Sequence, residues 1–398
     1  GGFGTQRLML SGMTEGAGAR DAMQIAEEQE RLGAAINAGG SLDRSAVTLT
    51  ALSANLGLSL DLLADIVMRP DFTADDVSRL RDQQLAGVAA EATQPNGLAQ
   101  RALPPIIYGA AHPYGRPLSG LGSADSVAAL DRDALVRFHQ TWIRPETGKI
   151  FVVSDRPLSE VQRALETRFG AWRGAAGVAP GVKNFAVAVP NPRARIVLVD
   201  RPQSPQSIIY AGAVLPIQGD SDTLALNAAN EVLGAGFLSR LNTEIRERRG
   251  WSYGLGGSVQ LREHQVPYVI TAPVQADRTG DSIRVLREMI DAFRTNAPVT
   301  EAEHTRTING NIRQLPGAFE TADSILGALR SNDLYDRADD YWEAVAGRYR
   351  AMSAADMDAA GRAVIDPSRF VWVVVGDASV VRPQLNQLGL EVEVVQPQ

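Results

Sequence analysis

The 398-residue sequence contains no cysteine. That excludes disulfides, thiolate metal sites and a cysteine nucleophile, and leaves the chain indifferent to redox conditions. Histidine is scarce: His112, His139, His264 and His304. No two lie three to five residues apart, so the sequence holds no local histidine pair for a metal. His112 sits in "HPYG", which reads as a turn, and all four read as structural or exposed histidines. No apolar run approaches the roughly 18 residues of a membrane span, and no signal peptide is visible. Basic residues form no dense cluster: Lys and Arg number 39 against 46 Asp and Glu, for a net charge of -7. Nucleic acid is therefore not an expected partner, because phosphate neutralisation needs concentrated Lys and Arg. Walker loops, nucleophile elbows and dinucleotide fingerprints are also missing from any strand–turn–helix setting. "GLGG" (Gly254 to Gly257) runs on into "SVQLRE", a strand, and reads as a close backbone approach rather than a phosphate loop.

The composition is 44% apolar. A chain this long exceeds one ordinary core, so two or more domains are expected. "GTQRLMLSGMTEG" (Gly4 to Gly16) reads as a short amphipathic helix with a glycine stop. "DAMQIAEEQERLGA" reads as a surface helix with Met23, Ile25, Ala26 and Leu32 on its apolar face and Gly33 as its stop. "SAVTLTALS" is a strand, and "GLSLDLLADIVMRP" a helix ended by Pro70. Thr73 with Asp76 forms a capping box for a helix reaching about Glu91. "DRDALVRFHQTWI" is a helix, "GKIFVVSD" (Gly148 to Asp155) a strand, and "LSEVQRALETRFGAW" a helix. The Gly/Ala/Pro-rich segment 174–193 reads as a linker.

The second half repeats the first. "LDRDALVRFHQTWIRPETGKIFVVSD" and "MSAADMDAAGRAVIDPSRFVWVVVGD" share a helix, a proline and a strand closed by aspartate. Pro145 and Pro367 are 222 residues apart, as are Asp155 and Asp377. The capped helix recurs at Thr300 and Glu303. A repeat this long is a duplicated domain, not a solenoid unit. The expected fold is α+β: two homologous α/β-layer domains, each a mixed sheet with helices packed on it, at 1–173 and 194–398.

One segment stands out: "NAANEVLGAGFLSRLNTEIRERRGWSYGLGG", from Asn227 to Gly257. A helix ends at Gly234–Gly236. A second follows, with Ser239 as its N-cap and Gly250 as its terminal glycine. "WSYGLGGSVQL" then starts a strand, which places Trp251 and Tyr253 on one face. Arg246, in the last helical turn, and Tyr253, across the turn, both suit a shared cleft. Simpler readings stand beside this one: Arg246 complements a helix C-terminus, and Tyr253 is core.

"LGAGFLSRLNTEIRERRGWSYG" resembles the second homologous domain of the pitrilysin and mitochondrial-processing-peptidase family of zinc peptidases, which reads LGGGxxSRLxxxLRExxGLxY there. "ERLGAAINAGGSLDRSAVTLTALSANLGLSLDLLADIVMRPDF", "YGAAHPYGRPLSG" and "FVVSD" resemble its first domain, and the duplication is its plan. Members carry HxxEH on the first helix and a glutamate ligand about 76 residues later. The resemblance puts Arg7, Leu10 and Ser11 at the HxxEH positions and Gly87 at the distal one. It therefore implies a first domain with a degenerate zinc motif and no cofactor in this chain. It also implies that Arg246 and Tyr253, seven residues apart, hold a substrate carbonyl and stabilise the oxyanion that forms from it.

The function implied is that of the non-metal subunit of a heteromeric zinc peptidase. A homologous HxxEH partner brings zinc, and a closed chamber receives an unfolded peptide. The alternatives are an inert scaffold, as in respiratory complexes, and a peptide-binding homodimer without chemistry. The Ala/Arg/Asp-rich composition without cysteine suits a bacterial protein. The direct opening on "GGFG" leaves room for an upstream segment. Both lean toward the periplasm, with the cytoplasm as alternative.

Overall fold

The computed structural model describes residues 3–396 of this chain. They form two compact units. The first holds the residues up to Ala90 together with Pro117–Asn184, and the second holds Glu91–Arg116 and everything from Phe185 onward. The break after Asn184 falls inside the Gly/Ala/Pro-rich segment. The division departs from a cut by repeat because Glu91–Arg116 groups with the second half.

In the first unit, the opening helix Thr5–Gly12 buries Leu8, Met9 and Leu10, with Met13 just beyond. They pack with Ile25, Ile36, Leu62, Ile66 and Phe72 into the unit's core. The helix ends four residues before the expected stop at Gly16, where a two-stranded ribbon of β1 (Gly16–Ala17) and β2 (Arg20–Asp21) begins. Asp21 then caps the helix Ala22–Leu32 with a capping box, and Gly33 closes it at φ 61. Ile25 and Leu32 face the core, whereas Met23 is exposed. A hairpin follows, β3 (Ala35–Gly40) with β4 (Ser45–Thr50). Helices Leu56–Met68, Ala74–Thr93, Arg132–Trp142 and Leu158–Phe169 complete the unit. The Thr73–Asp76 cap forms as expected, the Asp76 amide donating to the Thr73 hydroxyl over 3.2 Å.

The segment expected as a strand, Gly148–Asp155, forms no regular element and pairs with no strand among the described residues. Ile150 and Val152 are consequently exposed. Its counterpart in the second repeat is β9 (Val371–Gly376), wholly buried between β5 (Arg195–Asp200) and β6 (Gln206–Val214). Both flanking strands precede the first helix of the second repeat, Leu224–Leu233. Among the described residues of the first unit no strand lies alongside 148–155, so the same apolar pattern forms no ladder there.

The second unit is built on a six-stranded mixed sheet in the order β10-β5-β9-β6-β8-β7, with β7 at Gly256–Val259, β8 at Pro267–Gln275 and β10 at Glu391–Val395. β10, β5 and β9 run parallel, and β6, β8 and β7 follow antiparallel. β9 reads "VWVVVG" without polar alternation because both of its faces are covered. The helix Pro95–Tyr108 packs on β6 and β9, which is why it belongs to this unit. Helices Leu224–Leu233, Thr279–Thr295 and Ala354–Val364 enclose a core around Trp372, Tyr268, Phe293 and Phe370. Each such side chain contributes about 1.5–3 kcal/mol relative to exposure. His112 is fully buried in this unit, stacked on Tyr108 at 5.2 Å, and its carbonyl accepts from the Gly115 amide, so "HPYG" is a turn. The α+β class read from the repeat is observed; the mixed sheet with helices packed on it forms in the second unit, whereas the described strands of the first unit are the ribbon β1–β2 and the hairpin β3–β4.

Candidate functional site

Arg7 and Ser11 stand one helical turn apart on the exposed side of Thr5–Gly12, while Leu10 turns into the core at 2% exposure. The Arg7 guanidinium donates to the Ser119 carbonyl over 3.4 Å. Gly87, on the helix Ala74–Thr93, faces Leu121: a Cβ there would lie 3.4 Å from its methyl group. Gln84, one turn before Gly87, ties the two regions by donating to the carbonyls of Gly4 at 3.1 Å and Leu121 at 2.7 Å. Arg7 and Gly87 thus border one loop, Ser119–Leu121. The chemistry of the four positions does not fit zinc. A guanidinium repels a dication, leucine and glycine offer no donor, and one serine hydroxyl is no zinc ligand set. Among the described residues, no three His, Asp or Glu side chains are grouped to hold a metal ion.

The other candidate lies in the second unit, between the helix Leu224–Leu233 and β7. Gly234, Gly236 (φ 86) and Ser239 shape a short connection that carries Phe237 and Leu238 outward, at 56% and 61% exposure. Ser239 occupies the cap position, but its hydroxyl donates back to the Gly236 carbonyl at 2.9 Å and caps nothing. The expected helix is one short turn, Arg240–Asn242, followed by a π-helical segment, Thr243–Arg248. π-Segments are rare, shift side-chain direction by one residue, and concentrate at functional sites. Arg246 lies within it. Arg240 fixes the entry: its guanidinium donates to the Ala297 and Pro298 carbonyls at 2.6 and 2.7 Å and pairs with Glu303 at 2.6 Å. Burial opposes charge on Glu303, but the Arg240 and Thr300 hydrogen bonds outweigh it and hold its pKa down at about 2.

Arg246 stacks its guanidinium over the Phe237 ring, with Cζ 4.4 Å from the centroid, and its Nε lies 3.2 Å from a Glu247 carboxylate oxygen. Gly250 (φ 66) turns the chain, and Tyr253 emerges 88% exposed. Trp251 does not share its face. It is half-buried against the core with the Arg249 and Arg278 guanidinium groups over its ring at 4.7 and 5.9 Å. Pairing starts only at Gly256, because Ser252 and Asn242 take the intervening backbone groups. The Ser252 hydroxyl accepts from the Gly254 amide at 3.1 Å, and Asn242 Oδ1 accepts from the Leu255 amide, also at 3.1 Å. The same Asn242, 2% exposed, donates through Nδ2 to the Phe237 carbonyl at 2.7 Å. "GLGG" is a close approach, as expected: a Cβ on Gly257 would lie 2.2 Å from the Tyr268 hydroxyl. That hydroxyl donates to Asn230, which donates to the Gly257 carbonyl, each over 2.8 Å.

The arrangement presents a guanidinium against an apolar tip and an exposed phenol on the following turn, on a backbone pinned by the buried Asn230 and Asn242 amides. Residues 6–120 match the family model described as insulinase, peptidase family M16, and residues 129–311 match the one described as peptidase M16 inactive domain. The chain belongs to peptidase family M16. An uncharacterized zinc protease of Mycobacterium tuberculosis is 29% identical over 286 residues, covering 71% of this chain. The chain spans 64% of that relative's length. A peptidase M16 inactive domain from Pseudomonas fluorescens superimposes with TM-score 0.82 and 25% identity, covering 93% of this chain and 87% of that one. The periplasmic protease PqqL of Escherichia coli has the same fold, with TM-score 0.73 and 14% identity over 96% of this chain and 44% of its own.

The helix–turn–strand pattern singles out Arg246 and Tyr253 but not Phe237, Leu238 or Asn242. Phe237 and Leu238 follow three small residues, and nothing in their spacing distinguishes an exposed tip from a core insertion. Asn242 is polar amid "RLNTEI", and only the fold shows that two loops converge on it.

Proposed function

We propose that this chain is the half of a heteromeric M16 peptidase that holds substrate without holding zinc. Arg246 and Tyr253 donate to a peptide carbonyl, and a homologous HxxEH-bearing subunit brings the metal site. The observation that carries this reading is the contrast between the two candidate regions. The zinc-motif positions have lost every ligand type. The Arg/Tyr segment keeps both donors at the surface, on a π-helical segment and a turn locked by Asn242. A guanidinium and a phenol aimed at a carbonyl stabilise the negative charge that develops there, each donor being worth about 3–4 kcal/mol of barrier. The two donors come from separate elements, so they fix the carbonyl from two directions. The fold shared with a periplasmic protease, together with the composition, supports a periplasmic location.

The test is capture of the chain from its own source, identification of an HxxEH-bearing M16 partner, and assay of the reconstituted pair on unfolded peptides. Arg246→Ala and Tyr253→Phe are expected to lower turnover by about 10²–10³-fold and roughly tenfold or more, with assembly intact. Unchanged turnover in an assembled pair removes the catalytic role and leaves a scaffold.

A further inference from the structure

The surface around Arg246 holds more than two donors. Phe237 is the one exposed phenylalanine among the described residues, and Leu238 beside it is exposed as well. Their backbone is not loose. The Phe237 carbonyl is tied to buried Asn242 at 2.7 Å, and the connection's first glycine is tied to β7 by the Gly257 amide, which donates to the Gly234 carbonyl at 2.8 Å. Two large apolar side chains held outward on a fixed backbone leave apolar area in water that a ligand side chain can cover.

The geometry points to the ligand. One face of the Arg246 guanidinium covers Phe237 and its Nε lies 3.2 Å from the Glu247 carboxylate, so its terminal NH2 groups are the donors that a ligand carbonyl would meet. Donor and apolar ring are 4.4 Å apart. In an extended peptide, a carbonyl oxygen and the side chain of the same or next residue are separated by about one residue's rise, roughly 3.3–3.6 Å. One extended segment therefore reaches both. We propose that Phe237 and Leu238 form an apolar subsite that receives an aliphatic or aromatic side chain of the bound peptide next to the carbonyl held by Arg246. This deepens the reading given above and rests on it: the chain selects apolar residues at that position as well as anchoring backbone. An acidic side chain would meet the same guanidinium but would gain nothing from Phe237 or Leu238.

The experiment uses the full chain and fluorescein-labelled Gly/Ser peptides that carry a single Phe, Leu, Asp or Ser at their centre, with binding read by anisotropy. Phe and Leu peptides are expected to bind about tenfold tighter than the Ser peptide, the scale of one apolar side chain entering a pocket. Phe237→Ser with Leu238→Ser is expected to abolish that preference, and Phe237→Leu is expected to retain most of it. Both side chains are exposed, so thermal melts of the variants should match the parent. A preference that survives the double serine variant overturns the subsite while the Arg246 reading stands. Asp peptides binding as tightly as Phe peptides overturn it too, by reducing the site to charge. Absence of binding for every peptide, with Arg246→Ala making no difference, overturns the subsite and the function it rests on together.

Discussion

Asn242 donates through its side-chain amide to the carbonyl of Phe237 over 2.7 Å, from a position only 2% exposed. The other end of the same amide accepts from Leu255 at 3.1 Å. One buried side chain thus satisfies two backbone groups from two loops, one carrying the apolar tip and one following Tyr253. Asn242→Ala leaves both unpaired and is expected to cost about 2–3 kcal/mol in urea denaturation. Amide exchange at residues 253–255 should accelerate while β8 and β9 stay protected. Unchanged exchange there would show that Asn242 does not hold the Tyr253 turn.

Arg240 and Glu303 make a second anchor, between the start of the Arg246 segment and the helix Glu301–Gln314. The Glu303 pKa, about 2 in the fold, lies below its ordinary 4.5. The folded chain therefore binds fewer protons than the unfolded chain in that range. This contribution to stability is complete above pH 4.5 and disappears as pH falls toward 2. Glu303→Gln is expected to cost about 2 kcal/mol at pH 7 and very little at pH 2. Equal losses at both pH values would assign the effect to packing rather than charge.

His139 gives the first unit a milder response at higher pH. Burial lowers its pKa, only partly opposed by the hydrogen bond its Nε2 donates to the Val67 carbonyl at 2.8 Å. The unfolded imidazole, near 6.5, takes up a proton before the folded one does, so stability falls as pH drops below 6.5. His139→Gln keeps a donor and removes the titration. The slope of stability between pH 6.5 and 5 should be flatter in that variant, as read from urea midpoints.

Arg7, Leu10, Ser11 and Gly87 predict indifference to chelation. Dialysis against EDTA should leave the thermal midpoint of the isolated chain within error, and zinc added afterwards should not be retained at one per chain. Leu10→Ala, by contrast, should cost about 2–5 kcal/mol, because that position now serves the core. One tightly held zinc would overturn the reading of the first helix.

Much of the fold was legible because it is written twice. The Thr73–Asp76 and Thr300–Glu303 boxes, Gly33 as a helix stop, and β9 with its closing aspartate follow from local chemistry and appear as expected. The failures share a cause: pairing and capping are settled by partners that a local pattern does not contain. Ile150 and Val152 carry the same strand pattern as β9 without its neighbours. Ser239 has a capping residue's type, but its hydroxyl turns back to Gly236. Trp251 and Tyr253 have strand spacing, but Ser252 and Asn242 intercept the backbone before a ladder forms. At the candidate site, Arg246 and Tyr253 were visible as types at a spacing, whereas the amide bracket around them involves Phe237 and Leu255, five and thirteen residues from Asn242 in opposite directions along the chain.

The chain enters the second unit at Glu91, leaves it after Arg116 and returns at Phe185. In that first visit it lays the helix Pro95–Tyr108 across β6 and β9 and donates the Tyr108 hydroxyl to the Gln265 carbonyl at 2.8 Å. The two gene halves are consequently not interchangeable modules. A crossover at the junction of the repeats passes on the six strands without the helix that shelters their central pair, so heredity favours keeping both halves of the pair from one ancestor.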